Sequence, residues 1–119
     1  TCGLRVPPSD AANRRVENRI PSSDANPYLA IAASLAAGYL GLSGALSPSA
    51  PVDIDASALG VQLPRSLSES LRLFTEARPL VEILGETFVQ AYDRVKQTEY
   101  EIFMQTIGPW EREFLLLNV

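Results

Sequence analysis

Three charged residues alternate along the segment from Arg15 to Arg19, with Glu17 between the two arginines. Side chains of an extended strand alternate between faces and two residues advance roughly 6.7 Å, so Arg15, Glu17 and Arg19 would share one face. A carboxylate between two guanidinium groups is favoured in its charged form. It can offer oxygen to a hard divalent cation, while the arginines can pair with phosphate or carboxylate groups. The pattern therefore indicates a site for a metal-bound nucleotide and an acidic substrate.

The same row has a second interpretation, a solvated strand surface whose ion pairs are each worth about 0.5 kcal/mol. The residue types alone leave both interpretations open. The opposite face of the strand would carry Arg14, Val16, Asn18 and Ile20, and we assign Arg14 and Asn18 structural roles.

The charge distribution disfavours nucleic acid as a partner. The chain has a net charge of -4 over 119 residues, yet residues 1–20 carry four arginines against Asp10 and Glu17. Lys96 is the single lysine, and there is no basic run of the kind that nucleic-acid binding needs. A local arginine cluster on an acidic chain fits a small anionic ligand better.

Cysteine and histidine usage limits the metal chemistry. Cys2 is the single cysteine and there is no histidine, which excludes an internal disulfide and disfavours zinc. A metal here would be Mg²⁺ or Mn²⁺ on carboxylates, and the thiol content agrees with a reducing, cytoplasmic location.

The sequence predicts an α+β fold, with a short antiparallel strand pair followed by a helical carboxy-terminal region. Residues 2–8 and 14–20 are the strands, so that 1–21 carry the site, and pairing would bring Arg5 near the charged row. Residues 24–42 form a helix that begins near Pro27. No charge occurs from Asn26 to Pro48, but glycines interrupt the stretch, which favours a helix buried on all sides over a membrane span.

The remainder divides into a loop over residues 43–63 and a helical end over residues 64–119. Ser66 and Glu69 form a capping box, and further helices are expected near 79–84, 86–106 and 110–118. An apolar stripe is predicted on the long helix, and Glu99 is expected to pair with Lys96. The members of that stripe are Phe88, Tyr92, Val95, Ile102 and Phe103.

Four segments together resemble the glutamine synthetase family. The most specific is Asn13 to Tyr28, read N-R-R-V-E-N-R-I-P-S-S-D-A-N-P-Y, which looks like the carboxy-terminal catalytic segment of that family. Gly3-Leu4-Arg5-Val6-Pro7, Leu63-Pro64-Arg65-Ser66-Leu67 and Trp110-Glu111-Arg112-Glu113 are also similar to it. The residues around Glu17, Asn-Arg-Arg-Val-Glu-Asn-Arg, resemble the branch that includes γ-glutamylpolyamine synthetases more closely than the housekeeping enzymes.

The resemblance implies an ATP-dependent ligase that joins ammonia or an amine to the γ-carboxyl of glutamate through γ-glutamyl phosphate. It implies that Glu17 is a metal ligand for Mg²⁺ or Mn²⁺ and that Arg15 contacts the nucleotide phosphates. It also implies that Arg5 contacts phosphate or the transferring group and that Arg19 holds the glutamate carboxylate. Ala12 stands where some members carry a basic nucleotide contact.

By the same resemblance the chain is a fragment of one catalytic domain, inactive by itself, whose partners are the upstream polypeptide and further copies in a homo-oligomer. The apolar ending Phe114 to Val119 is expected to pack on a neighbouring subunit, with the stripe of its own long helix as the alternative. A competing hypothesis is a non-catalytic helical assembly module. The sequence leaves the acceptor amine open.

Overall fold

The computed structural model describes residues 2–60 and 62–116, without the side chain of Ser57. It contains two short strands, five α-helices and two 3₁₀ turns, which confirms the predicted α+β class. The chain divides into two compact units, Thr1–Leu63 and Pro64–Val119.

Strands β1 (Leu4–Arg5) and β2 (Glu17–Asn18) form the antiparallel pair. Arg5 lies opposite Glu17, and the backbone N–H of Arg19 donates to the carbonyl of Gly3 at 2.8 Å. The strands are shorter than the predicted ranges 2–8 and 14–20. Prolines 7 and 8 lack the N–H that a longer ladder requires, which helps to end the pairing soon after Arg5.

Helix α1 (Pro27–Ser43) begins at a side-chain cap and a favourable proline. The Asn26 Oδ1 atom accepts hydrogen bonds from the backbone N–H groups of Tyr28 and Leu29, at 3.0 and 3.3 Å. Pro27 occupies the first turn, where its missing N–H would have no intrahelical partner. The helix extends one residue beyond its predicted end.

The expected burial of α1 on all sides is not met within this chain. Ala36 is its one buried residue, at 5% exposure, whereas Leu35 and Leu42 are 69% and 84% exposed. Burial requires a facing surface, and the described residues supply it for one side of the helix alone. Within residues 2–60 and 62–116, no helix is both long and apolar enough to span a membrane.

The predicted loop, residues 43–63, contains one 3₁₀ turn, Ala56–Leu59, and is otherwise irregular where it is described. The preceding connector between the strands contains a second turn, Ala11–Asn13, capped by the Asp10 carboxylate, which accepts from the Asn13 N–H at 2.9 Å.

The described part of the second unit, residues 64–116, contains four helices: α2 (Leu67–Glu76), α3 (Arg78–Leu84), α4 (Glu86–Met104) and α5 (Pro109–Phe114). The predicted cap is present, since Ser66 Oγ accepts from the Glu69 N–H at 3.1 Å. The Glu69 carboxylate accepts in turn from the Arg65 N–H at 3.0 Å, one residue before the position that a capping box would use. Gly85 separates α3 from α4 with φ of 89°, a conformation that favours glycine.

The core of this unit lies where α2 and α3 pack against α4. Leu71, Val81 and Val89 are buried there, and the rings of Phe74 and Tyr92 meet edge to face with centroids 5.8 Å apart.

The predicted apolar stripe of α4 is therefore partly wrong. Val89 is the buried residue, while Val95, Ile102 and Phe103 are exposed. The less exposed residues of α4 follow Val89 along a neighbouring face, through Tyr92, Lys96 and Tyr100. Tyr100 lines a groove with α2, so the carboxy-terminal half of α4 still faces that helix.

The chain ending remains half exposed where it is described. Phe114, Leu115 and Leu116 have exposures between 47% and 60%, and the Trp110 and Phe114 rings lie 5.4 Å apart. The predicted end of the last helix and of the apolar tail, residues 117–119, lies outside the described residues.

Candidate functional site

Glu17 is the centre of a cluster that the strand pairing assembles. The Arg5 Nη1 atom lies 3.3 Å from Glu17 Oε2, and the Arg15 Nη2 atom lies 3.3 Å from Glu17 Oε1. Arg5 reaches the carboxylate because β1 places it directly opposite Glu17. Arg15 reaches it because residues two apart in an extended segment share one face.

The cluster is open to solvent. The Glu17 side chain is 31% exposed, and those of Arg5 and Arg15 are 52% and 58% exposed. Ion pairs at such exposure contribute about 0.5 kcal/mol or less to folding. With two cations for one anion, the cluster carries a net positive charge, which favours an anionic ligand.

The guanidinium groups retain hydrogen-bonding capacity. Arg5 uses one terminal nitrogen on Glu17, and Arg15 uses one on Glu17 and one on the Asn13 carbonyl at 3.5 Å. Each guanidinium has five N–H donors in a planar fork that matches phosphate or carboxylate oxygens. The remaining donors can therefore bind an incoming anion.

Arg19 stands apart from the other three predicted site residues. It lies two residues beyond Glu17 and its side chain is exposed, without an ion pair in the described part of the chain. Its backbone N–H, bonded to Gly3, fixes the strand at that point. The structure thus brings Arg5, Arg15 and Glu17 into contact and leaves the Arg19 guanidinium free to reach a separate ligand group.

Sequence reasoning missed the contact that joins the strand to the helix. The Asn18 Nδ2 atom donates to Ser34 Oγ at 2.9 Å, and Ser34 Oγ donates to the Ala30 carbonyl at 2.7 Å. The available signal was a hydroxyl in the middle of an alanine-rich helix, a position that is neutral at best for helix formation.

The donor set fits a nucleotide phosphate better than it fits a complete metal site. No group of three or more His, Cys, Asp or Glu side chains occurs among residues 2–60 and 62–116. Mg²⁺ is usually held by one or two carboxylates together with waters and substrate phosphates. Glu17 fits as one such ligand, and the arginines fit the phosphates.

The second unit contains an open groove of about 400 Å³ between α2 and α4. Arg72 pairs there with Glu76 at 2.6 Å, and Asp93 accepts from the Gln97 amide at 2.8 Å. The groove is lined by two carboxylates, Asp93 and Glu101, and one arginine, so its charge balance is opposite to that of the Glu17 cluster.

Comparison with known proteins identifies matches over nearly the whole chain. The family model described as "glutamine synthetase, catalytic domain" matches residues 1–115. A type-1 glutamine synthetase of Dictyostelium discoideum is 37% identical over 119 residues, covering 95% of this chain and 23% of the relative. A glutamate–isopropylamine ligase of a Pseudomonas species is 36% identical over 115 residues, covering 93% of this chain and 25% of the relative.

A third relative, a γ-glutamylputrescine synthetase of Escherichia coli, is 36% identical over 121 residues, covering 99% of this chain and 25% of the relative. The chain thus spans about a quarter of the length of these curated relatives.

Proposed function

This chain belongs to the glutamine synthetase family, and we propose that it supplies part of the active site of an ATP-dependent ligase joining glutamate to ammonia or an amine. Family membership confirms the resemblance carried by Asn13 to Tyr28, and relatives named as glutamine synthetases and glutamate–amine ligases support the reaction class.

The observation that carries the proposal is the Glu17 carboxylate with a guanidinium 3.3 Å from each of its oxygens. Phosphoryl transfer depends on positioning and on neutralising the charge of the transferring group. We assign Glu17 as one ligand of Mg²⁺ or Mn²⁺, Arg15 as a contact to the nucleotide phosphates, and Arg5 as a contact to phosphate or to the transferring group.

Arg5 and Arg15 contact the two oxygens of the Glu17 carboxylate, and carboxylate oxygen is the ligand type that a hard divalent cation takes. The remaining N–H groups of the two arginines can bind phosphate oxygens. A bound divalent cation would supply charge neutralisation at the phosphates.

Arg19 is proposed to hold the carboxylate of the glutamate substrate. Its exposed side chain makes no ion pair in the described part of the chain, so its fork is available for bidentate pairing. In the proposed reaction the glutamate γ-carboxylate accepts the terminal phosphoryl group of ATP with release of ADP. The amine then attacks the acyl carbon, and phosphate leaves.

We assign the activity to the full-length protein rather than to these 119 residues. The described residues offer one carboxylate at the site, and the relatives are about four times longer. The exposed apolar side of α1 also needs a covering surface, which the rest of the polypeptide or another copy in a homo-oligomer would supply. The single cysteine and the ATP dependence favour a cytoplasmic location.

The test is an assay of the full-length protein for ATP-, divalent-cation- and amine-dependent phosphate release in the presence of glutamate. Ammonia, isopropylamine and putrescine are the first acceptors to compare, because the relatives' names point to them. Mass spectrometry of the γ-glutamyl product identifies the amine. No amide product with any acceptor would contradict the proposal.

Arg19→Ala tests the assignment of the glutamate contact. We expect the KM for glutamate to rise about tenfold or more, the usual order for losing a charge-assisted pair, while the KM for ATP changes little. Arg14→Ala, on the opposite face of the same segment, is the matched control and leaves both constants near wild type. Equal increases for both substrates in Arg19→Ala would show that its role is wrongly assigned.

A further inference from the structure

We infer that Asn18 and Ser34 are positioning residues that hold the Glu17 strand on helix α1, and that breaking their hydrogen bond weakens the divalent-cation site. The inference rests on the proposed function, which makes Glu17 a metal ligand. Its observation is independent of that function, because it concerns a bond on the opposite face of the strand from the charged cluster.

The orientation of the Asn18 amide follows from its two partners. Its Oδ1 atom accepts from the backbone N–H of Ile20 at 3.1 Å, which leaves the Nδ2 atom to donate to Ser34 Oγ at 2.9 Å. The Ser34 hydroxyl then donates to the Ala30 carbonyl at 2.7 Å. The three hydrogen bonds form one continuous chain of donors and acceptors, from the Ile20 N–H through Asn18 and Ser34 to the Ala30 carbonyl on the helix backbone.

The strand needs such an attachment because its own pairing is short. Strands β1 and β2 pair over two residues each, and a bond from Arg19 to Gly3 adds one further point. Glu17 precedes Asn18 directly, so movement of the Asn18 backbone moves the carboxylate. Misplacement of a site group by about 1 Å is costly to a reaction that depends on positioning.

The competing explanation is that Ser34 simply bonds to its own helix, as serines within helices often do. The chain offers a matched control for this. Ser43 lies on the same helix and its hydroxyl donates to the Leu40 carbonyl at 3.4 Å, but no bond from it to either strand is found among the described residues. A serine-to-alanine change there removes a helix bond and nothing else.

The test measures Mn²⁺ binding to the full-length protein by electron paramagnetic resonance of the free ion, without ATP or glutamate. Glu17→Gln first identifies the class of binding site that depends on this carboxylate. Ser34→Ala and Asn18→Ala should each raise the dissociation constant of that class about three- to tenfold, the cost of one hydrogen bond. Ser43→Ala should stay within about twofold of wild type, and Ser34→Thr, which keeps the hydroxyl, should retain the affinity.

The double variant Asn18→Ala/Ser34→Ala distinguishes a shared bond from general weakening. Its dissociation constant should match that of the weaker single variant, since the same bond is lost once. The inference would be overturned if the increases in dissociation constant of the two single variants multiplied in the double variant. It would also be overturned if Ser34→Ala and Ser43→Ala had equal effects, or if Ser34→Thr lost affinity. Asn18 is exposed, so Asn18→Ala is expected to fold, which circular dichroism checks.

Failure of the proposed function gives a different result. A wild-type protein that forms no γ-glutamyl amide, while the Mn²⁺ constants follow the pattern above, would contradict the ligase and support the positioning role. A Glu17→Gln variant with unchanged Mn²⁺ binding would overturn the inference, because Glu17 would then not be a ligand.

Discussion

The two units of the chain use their ion pairs in different ways. In the first, Glu17 is shared by Arg5, twelve residues earlier, and Arg15, two residues earlier, and strand pairing brings the three together. In the second, two of the three ion pairs given for its described residues, Arg72–Glu76 and Lys96–Glu99, lie within one turn of a helix. The third, Arg78–Glu86 at 3.5 Å, is highly exposed and joins α3 to α4 across Gly85. A helix places neighbours within one turn together in any protein, whereas the Glu17 cluster exists because two segments pair in one register. The difference marks the first unit as the place to look for chemistry.

The units also differ in how far they bury their apolar side chains. The second unit buries Leu71, Val81 and Val89 among its own helices. The first leaves Tyr28, Leu35 and Leu42 of α1 exposed, although the helix contains no charged residue. A helix of this composition is typical of a buried position. The second unit thus buries a core of its own, whereas much of the apolar surface of α1 is uncovered within the described residues.

The largest effect should come from removing the shared carboxylate. Glu17→Gln keeps the side-chain shape and removes the charge that we propose binds the cation and that pairs with Arg5 and Arg15. We expect the ligase activity of the full-length protein to fall about 100-fold or more, the scale seen when one preorganised electrostatic group is lost. Steady-state rates at several Mg²⁺ concentrations measure it.

Glu76→Gln is the matched control in the second unit, since it removes a carboxylate that also pairs with an arginine, at 2.6 Å. We expect its activity to stay within about twofold of wild type, because an exposed pair on a helix contributes little. Similar losses in the two variants would break the contrast between the two kinds of ion pair.

Two valines on helix α4 test whether the buried or the exposed apolar residues stabilise the second unit. Val89 is 3% exposed and Val95 is 55% exposed. Val89→Ala should lower the free energy of unfolding by about 1–3 kcal/mol, whereas Val95→Ala should change it by less than about 0.5 kcal/mol. Urea denaturation of the 119-residue chain, followed by circular dichroism, checks both. A larger effect at Val95 would show that the predicted stripe, and not the observed core, stabilises the unit.

Local signals allowed most of the fold to be predicted. The Asn26 and Ser66 caps mark helix starts within one residue of those observed, and the pairing of Lys96 with Glu99 follows from helical spacing. The stripe predicted on α4 is partly wrong because the covered face runs through Val89, Lys96 and Tyr100, and the packed face includes amphipathic side chains that a purely apolar pattern leaves out. The exposure of α1 cannot be predicted from composition. An uncharged helix is expected to be buried, but its composition does not identify the surface that would cover it.

The site was predictable in its residue types but less so in its contacts. The alternation of Arg15 and Glu17 places their side chains together, whatever else the chain does. The contact with Arg5 depends on strand register, which the sequence left open and the structure sets with Arg5 opposite Glu17. The bond from Asn18 to Ser34 joins residues sixteen apart with ordinary side chains, so no local pattern announces it.

The smallest effect concerns the local ion pair of α4. The pKa of Lys96 is raised from its ordinary value, first because its ammonium group donates a hydrogen bond to Glu99, with 2.6 Å between Nζ and Oε2. A lysine whose pKa is higher in the folded state adds stability below its unfolded pKa of about 10.4, and that stability is lost as the pH rises through the folded pKa.

Glu99→Gln should therefore lower the Lys96 pKa toward its ordinary value, which NMR titration of the side chain measures. At pH 7 it should cost about 0.2–0.5 kcal/mol, since both side chains are partly exposed, and the cost should vanish above the folded pKa. Glu101→Gln, on the same helix, is the control and should leave the Lys96 titration unchanged. An equal shift in that variant would mean that the general negative charge of the helix, rather than the pair with Glu99, raises the Lys96 pKa.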